Sequence, residues 1–501
     1  MIDYKTYIFL IVVVVLSSFL RFHRLNQVYV FNLDEEYQAT YAWTEVLHPH
    51  LIWIGLPAAA IEFYLGPYLT YFTAILLAFS KGDPIIMAYF AASLGAVTTA
   101  TIFLIGKKLF NFTAGVITAS LYAALPLFVF YDQKFWNTML TPLIGILLLL
   151  IVNLTRKSKW WWVAFAGLAG AIFEAHLLPV TLLTLGVWYF FKDKYWRDIK
   201  LLIFCAVAFL IFYWPLIVFD LNHDFSNLKV ITRFFSGQKS SVNPTAKLMT
   251  LFDSLGRFWY LRPGTPNADE INFGCSSLAL STGYQEINKY SKRTYSPIWL
   301  SLISLSLLLF FIFKNINSKN FSKKSLALFL LIGGLSFLIY SGGAYEYYCL
   351  VLLTLFTFVP AIFISQLSEK IKPIAYGLIL IVIFSGINSV LKTSDEFSLG
   401  PKKILISKVM DIVRGESFSI DGRGICHNYE GWRYLFKVYG RTPNQSYTDG
   451  TLGWLYPKEI SKNSPTYTII LSEDRIPLDE NLSRLPSIKE GGYRAYIKKN
   501  L

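Results

Sequence analysis

The chain has 501 residues, 54% of them hydrophobic and only 16% charged, with a formal net charge of +14 and a mean hydropathy of +0.45. A soluble domain of this length carries more charge. The Lys and Arg residues lie in short loops between apolar runs, where membrane topology accounts for them, so the positive balance is no nucleic-acid signature.

Apolar runs of about 17–25 residues recur, the length that crosses a bilayer core as a helix. The first, near residues 6–20, is followed by Arg21-Phe22-His23-Arg24 rather than by a small-residue cleavage site, so it reads as a retained span. The segment 21–83 follows as a first external loop. It holds Asp34-Glu35-Glu36 and then an apolar stretch near 64–79 that opens on Gly66-Pro67. Later runs lie near 85–105, 112–131, 137–153, 161–174, 177–191, 201–219, 297–313, 325–341, 345–365 and 373–390.

Basic loops occur after every second run: Lys107-Lys108, Arg156 to Lys159, Lys192 to Lys200, Lys314 to Lys324, and Lys370 with Lys372. Positive loops stay cytoplasmic. They fall on one side if 64–79 is a re-entrant or interfacial helix, which predicts eleven spans with the N-terminus inside. Asp34, Asp132, Glu174, His176, the loop 220–295 and Tyr345 to Tyr348 then share the outer face. The loop 220–295 is too long for a plain connector and reads as a functional loop or small subdomain with a flexible, polar middle. Hydrophobicity falls from residue 391. The tail, 391–501, shows a helical pattern at 402–414 and strand-like runs at Ser417–Ile420, Tyr467–Leu471 and Tyr493–Lys498. The expected fold is an all-α polytopic membrane domain, residues 1–390, with a small extracytoplasmic α/β domain.

The acidic cluster has two readings. Asn32-x-x-Glu35 fits a helix N-cap with its reciprocal partner, and acids favour a first helical turn. The same cluster suits catalysis, with Asp34 as a base facing water at the outer membrane surface and Glu35 as its partner. An external acidic site with aromatic and basic companions admits an enzyme acting on a membrane lipid, or a transporter. The spans carry almost no central charges and no matched Gly/Pro-broken segments, the usual pointers to transport.

The order of parts resembles a family. A first span leads into Arg21-x-x-Arg24-Leu25 and then Leu33-Asp34-Glu35-x-Tyr37. After these come the Gly66-Pro67 helix, a span ending Gly106-Lys107-Lys108-Leu109-Phe110 and another ending Leu125-Pro126-Leu127-Phe128. Over residues 5–190 this resembles the GT-C superfamily of membrane glycosyltransferases, nearest to protein O-mannosyltransferases and the aminoarabinose transferases acting on lipid A. No resemblance is visible in the tail. A His-Pro-Pro signature of the mannosyltransferases is missing, so protein O-mannosylation is not the expected activity.

The resemblance implies an inverting transferase that moves a monosaccharide from a polyprenyl- or dolichyl-phosphate carrier to a glycan, lipid or protein acceptor outside the cytoplasm, in a prokaryotic cell membrane. A lipid-linked sugar flippase or transporter is the alternative. The family's acidic motif falls on Asp34 and Glu35, and its second acidic position, by placement, on Asp132. Inverting transfer needs one base for the acceptor hydroxyl and cations facing the leaving phosphate. Candidates for the phosphate are Arg21, Arg24, Lys134, His176 and Arg293. Tyr345 and Tyr347 are candidates for the sugar pocket or for an interfacial aromatic belt. A divalent metal, if present, falls to Asp34 and Glu35. Glu36 reads as a solvated surface acid, and Asp220 with His223 as a metal or acid/base pair or neither. Cys205 and Cys349 read as packing residues, whereas Cys275 and Cys426 lie in polar segments and could pair.

Overall fold

A computed structural model describes residues 4–58, 63–235, 244–260, 296–340, 344–423, 431–474 and 480–500. Each of the eleven apolar runs is helical. Eight helices are long and apolar enough to cross a membrane: Tyr4–Phe22, Ile85–Leu109, Asn137–Leu154, Ile199–Asn222, Ile298–Asn315, Phe321–Ile339, Glu346–Ser365 and Lys372–Lys392. Phe112–Ala124, Trp161–Glu174 and Leu178–Lys192 are shorter. The chain is an integral membrane protein on this evidence. Helices such as Ile199–Asn222 leave Ile203, Phe204, Val207 and Ile211 exposed, a surface suited to lipid and not to water.

The helical domain has two unlike ends. At one, the basic loops cross-link the helices. Lys107 Nζ donates to Thr6 Oγ1, and Asn111 to Ser365. Arg156 pairs with Asp193 at 2.6 Å while lying 4.6 Å from the Phe321 ring centre. At the other end meet Arg21, residues 131–137, Glu174, His176, Arg257 and Glu346.

Two short helices belong to that second end. Leu33–Leu47 carries the acidic cluster. Tyr68–Ser80 has 13 residues, a length of about 20 Å, against a bilayer core of about 30 Å. Gln38 of the first donates to Thr70 (3.3 Å) and Thr73 (3.0 Å) of the second. The Gly66-Pro67 entry has a steric cause. Glu174 Oε2 accepts the Tyr68 N–H at 3.0 Å and caps the helix start. A Cβ at Gly66 would stand 1.6 Å from Glu174 Oε1, so only glycine lets the carboxylate approach.

The segment after residue 220 is helical in much of its described parts. Ser226–Phe235 and Pro244–Arg257 are helices, and the second packs on Ile298–Asn315. The tail is an α/β domain as expected. Its mixed sheet runs Gln445–Ser446, Phe418–Arg423, Tyr467–Glu473, Tyr493–Lys499, Ser487–Glu490, with the first two neighbour pairs parallel and the last two antiparallel. The Leu399–Val413 helix lies one turn off the sequence pattern at its start. The Trp432–Tyr439 helix and the two edge strands escaped the sequence, since each is short.

The tail is joined tightly to the segment that precedes the acidic helix. Asp395 N–H donates to Gln27 O (2.6 Å) and Leu399 N–H to Tyr29 O (2.8 Å). The buried Lys402 ammonium donates to Phe31 O at 2.7 Å. Tyr439 Oη donates to Asp83 Oδ1 at 2.5 Å. Gly431 takes φ +70 beside the Phe31 ring, a backbone that favours glycine.

Candidate functional site

Three consecutive acids on a helix point about 100° apart, because 3.6 residues make a turn. The structure uses each direction differently. Glu35 turns inward and is fully buried. Its Oε2 accepts the Asn32 N–H at 3.4 Å, the N-terminal cap that the spacing predicts. Its Oε1 lies 3.3 Å from the Lys134 ammonium. Burial pushes the Glu35 carboxyl up to about 7, against the pull of Lys134.

Glu36 corrects an expectation. It is 1% exposed, not solvated, and its Oε1 accepts the Tyr434 N–H from the tail at 3.0 Å. Burial raises its carboxyl to about 7, and the Tyr434 N–H, Lys402 and Arg433 oppose the rise. Nothing in the local sequence marks this role, because the partner lies 398 residues away.

Asp34 takes the third direction. It is exposed, yet protein surrounds it closely enough that desolvation raises its carboxyl, with Lys134 lowering it. Its charge also reaches Tyr347 and Tyr348. Among the described residues no hydrogen bond to the Asp34 carboxylate is found, so its oxygens stay open.

An aromatic wall lies within reach of that charge. Tyr345 and Tyr347 stack, with ring centres 5.1 Å apart and 8° between planes. Tyr347 meets Trp136 at 4.4 Å, and Lys134 lies 5.1 Å from the Trp136 ring centre. Glu346, between the two tyrosines, anchors the wall. Its Oε1 accepts from Tyr131 Oη at 3.0 Å, and its Oε2 from Arg257 Nε at 2.7 Å and Ser254 Oγ at 3.2 Å. The sequence listed Glu346 among external residues without assigning it a role and missed Arg257 and Ser254; neither carries a local motif.

Arg21 and Asp132 differ from their expected use. Arg21 is fully buried. Its Nε donates to Asp132 Oδ2 at 2.8 Å, Nη1 to Ser17 Oγ at 2.8 Å and Ala123 O at 3.0 Å, and Nη2 to Tyr122 O at 3.0 Å. Nη2 also lies 2.7 Å from Asp132 Oδ2. Asp132 Oδ1 accepts from Tyr122 Oη at 3.1 Å. A Cβ at Gly95 would come within 2.4 Å of Asp132 Oδ2. The pair is sealed between helices, so neither residue presents a free group to a substrate or phosphate.

His176 also departs from its expectation. Its Nδ1 accepts the Leu178 N–H at 3.1 Å, its ring packs on Tyr348 at 4.6 Å, and burial pushes it down to about 4. It is neutral at physiological pH and brings no cation. Arg24 is exposed at the end of the first helix with φ 53. Arg293, Cys275 and Cys426 lie outside the described residues. Cys205 is half-buried and Cys349 buried, as packing residues are. Asp220 and His223 serve the helix end: Asp220 Oδ1 accepts the Asn227 N–H at 2.8 Å, and His223 stacks on Phe219 at 4.2 Å.

Among the described residues no three His, Cys, Asp or Glu side chains converge as metal ligands. With Glu35 engaged by a cap and a lysine, the Asp34–Glu35 pair does not fit a divalent ion.

No family model matches the chain, and no curated protein matches it. Solved structures do. ArnT from Cupriavidus metallidurans, bound to undecaprenyl phosphate, superposes with a TM-score of 0.60 at 11% identity, covering 98% of this chain and 97% of that one. AglB, the oligosaccharyltransferase of Archaeoglobus fulgidus in complex with an inhibitory peptide and a dolichol-phosphate, gives 0.46 at 13% identity, covering 94% and 69%. The likeness to ArnT takes in the tail, where the sequence showed no resemblance. Helical domain and tail together share the fold of ArnT.

Proposed function

We propose that the chain is an inverting glycosyltransferase, moving a monosaccharide from a polyprenyl- or dolichyl-phosphate carrier to an acceptor hydroxyl on the extracytoplasmic face. The observation that carries this is the isolation of Asp34: its two acidic neighbours are engaged in structural bonds, while among the described residues its own oxygens accept no hydrogen bond and lie in the field of Lys134. The fold shared with ArnT, a structure holding undecaprenyl phosphate, supports a lipid-linked donor.

In this scheme Asp34 accepts the acceptor O–H proton as the oxygen attacks the anomeric carbon from the face opposite the phosphate. The anomeric C–O bond breaks and its electron pair leaves with the lipid phosphate. Desolvation raises the Asp34 pKa toward the operating pH, which improves a base. The Lys134 ammonium bonds Glu35 through one donor and keeps others to offset the charge gathering on the phosphate. Arg24, at the exposed rim, is placed to meet the carrier's headgroup. Tyr345 and Tyr347 form the sugar side of the site.

The test is release of polyprenyl phosphate by purified protein in detergent, supplied with lipid-phosphate sugars. Asp34→Asn should slow release about 10²- to 10⁴-fold. Wild-type rates in Asp34→Asn remove Asp34 as the base. A requirement for a sealed bilayer, with no release in detergent, points to a transporter instead.

A further inference from the structure

The acidic helix continues past Asp34 as a stripe. Tyr37, Gln38 and Tyr41 follow at i+3, i+4 and i+7, on the face that Asp34 occupies. Tyr41 stands about 10 Å along the axis from Asp34, at 1.5 Å per residue. The stripe does not end on the helix. Trp454 of the tail meets Tyr37 at 6.4 Å with planes at 90° and Tyr41 at 6.1 Å with planes at 59°. The two tyrosines lie 6.5 Å apart.

Trp454 is 61% exposed, the most exposed large apolar side chain described in the tail. Its neighbours in the chain are not. Leu452, Leu455 and Tyr456 are buried and pack on Tyr37 and Tyr41, and the Arg433 guanidinium lies 3.9 Å from the Tyr456 ring centre. The exposed indole is therefore held on a rigid base. The exposed Trp188 and Trp299, by contrast, sit on apolar helices of the membrane domain. Trp454 sits on a polar domain, at the seam with the helix that carries Asp34.

We propose that Tyr37, Tyr41 and Trp454 form a stacking platform for a carbohydrate acceptor, whose pyranose C–H face lies on the indole. This rests on Asp34 as the base. A ring system continuous with the base holds whatever brings a hydroxyl to it. Flat aromatic rings suit the apolar face of a sugar, and their polar tips suit its edge. The acceptor class this selects is a glycan or glycolipid headgroup, because the platform offers ring faces and phenol tips rather than main-chain donors and acceptors. The platform is made by both domains, so acceptor choice belongs to the tail as much as to the membrane helices.

The test uses the full chain in nanodiscs, with maltotriose and triacetylchitotriose as probes. Saturation-transfer NMR reads which probe protons touch the protein. The expected signal falls on pyranose C–H protons, weakens about three- to tenfold in Trp454→Ala, as for loss of one aromatic contact, and persists in Trp454→Phe. Asp34→Asn keeps it, because that change removes no ring. Equal signals in wild type and Trp454→Ala, or none in either, overturn the platform. So does quenching of Trp454 by brominated lipid that sugar does not relieve, measured as the difference from Trp454→Phe, since that makes the indole a headgroup anchor. A failure of the underlying function shows separately, as unchanged sugar transfer by Asp34→Asn.

Discussion

Asp34 and Asp132 lie at the same end of the helical domain, each near a cation, and the structure puts them to opposite uses. Asp132 is closed in by Tyr122, Arg21 and Gly95, with every oxygen engaged. Asp34 is open, its nearest cation already bonded to Glu35. A buried charge with matched partners holds helices together and cannot react without breaking them. A carboxylate desolvated but unpaired keeps its basicity and its lone pairs. The difference teaches that the environment, not the residue type, divides structure from chemistry here.

The contrast is open to attack, first through activity. Asp34→Asn should lose about 10²- to 10⁴-fold in transfer rate with an unchanged thermal midpoint. Asp132→Asn should do the reverse, because removing one member of a buried pair costs about 3–5 kcal/mol. Thermal unfolding and yield of folded protein would reveal it, and a full yield with a selective rate loss would return Asp132 to the site. The double change Arg21→Met/Asp132→Leu should recover most of that stability, since a packed apolar pair replaces a buried ionic one at little net cost.

Glu36 supplies a pH test. Its carboxyl rises from about 4.5 to about 7 on folding, so the folded state binds the proton more tightly. Stability is then fully present below pH 4.5 and falls as pH climbs through 7. The loss is on the order of 3 kcal/mol, at about 1.4 kcal/mol per pH unit between the two values. Glu35 contributes in the same direction. Glu36→Gln keeps an acceptor for the Tyr434 N–H and should flatten the slope of melting temperature between pH 5 and 8; an unaltered slope would mean that Glu36 stays ionised. The smallest effect belongs to the opposite end of the molecule. Arg156→Ala breaks a partly exposed pair with Asp193 and should cost about 0.2–1 kcal/mol, without altering transfer.

The helices were legible because membrane crossing writes a long apolar run for each one. The cap at Asn32 was legible because its partner is three residues away. Tail strands such as Tyr467–Glu473 showed through their β-branched and apolar residues. The roles of Arg21, Glu36, Glu346 and Trp454 were not legible, since each depends on a residue from another element: Asp132, Tyr434, Arg257 and Tyr41.

Local and periodic properties were thus determined by the sequence alone: the membrane class, the alternation of basic loops, the helix start at Leu33 and the acidic motif it carries. Tertiary structure alone decided which acid stays open. Three carboxylates in consecutive positions have the same intrinsic chemistry, and only the bodies placed around the helix, Lys134 on one side and the tail on another, separate a cap, a clamp and an open carboxylate.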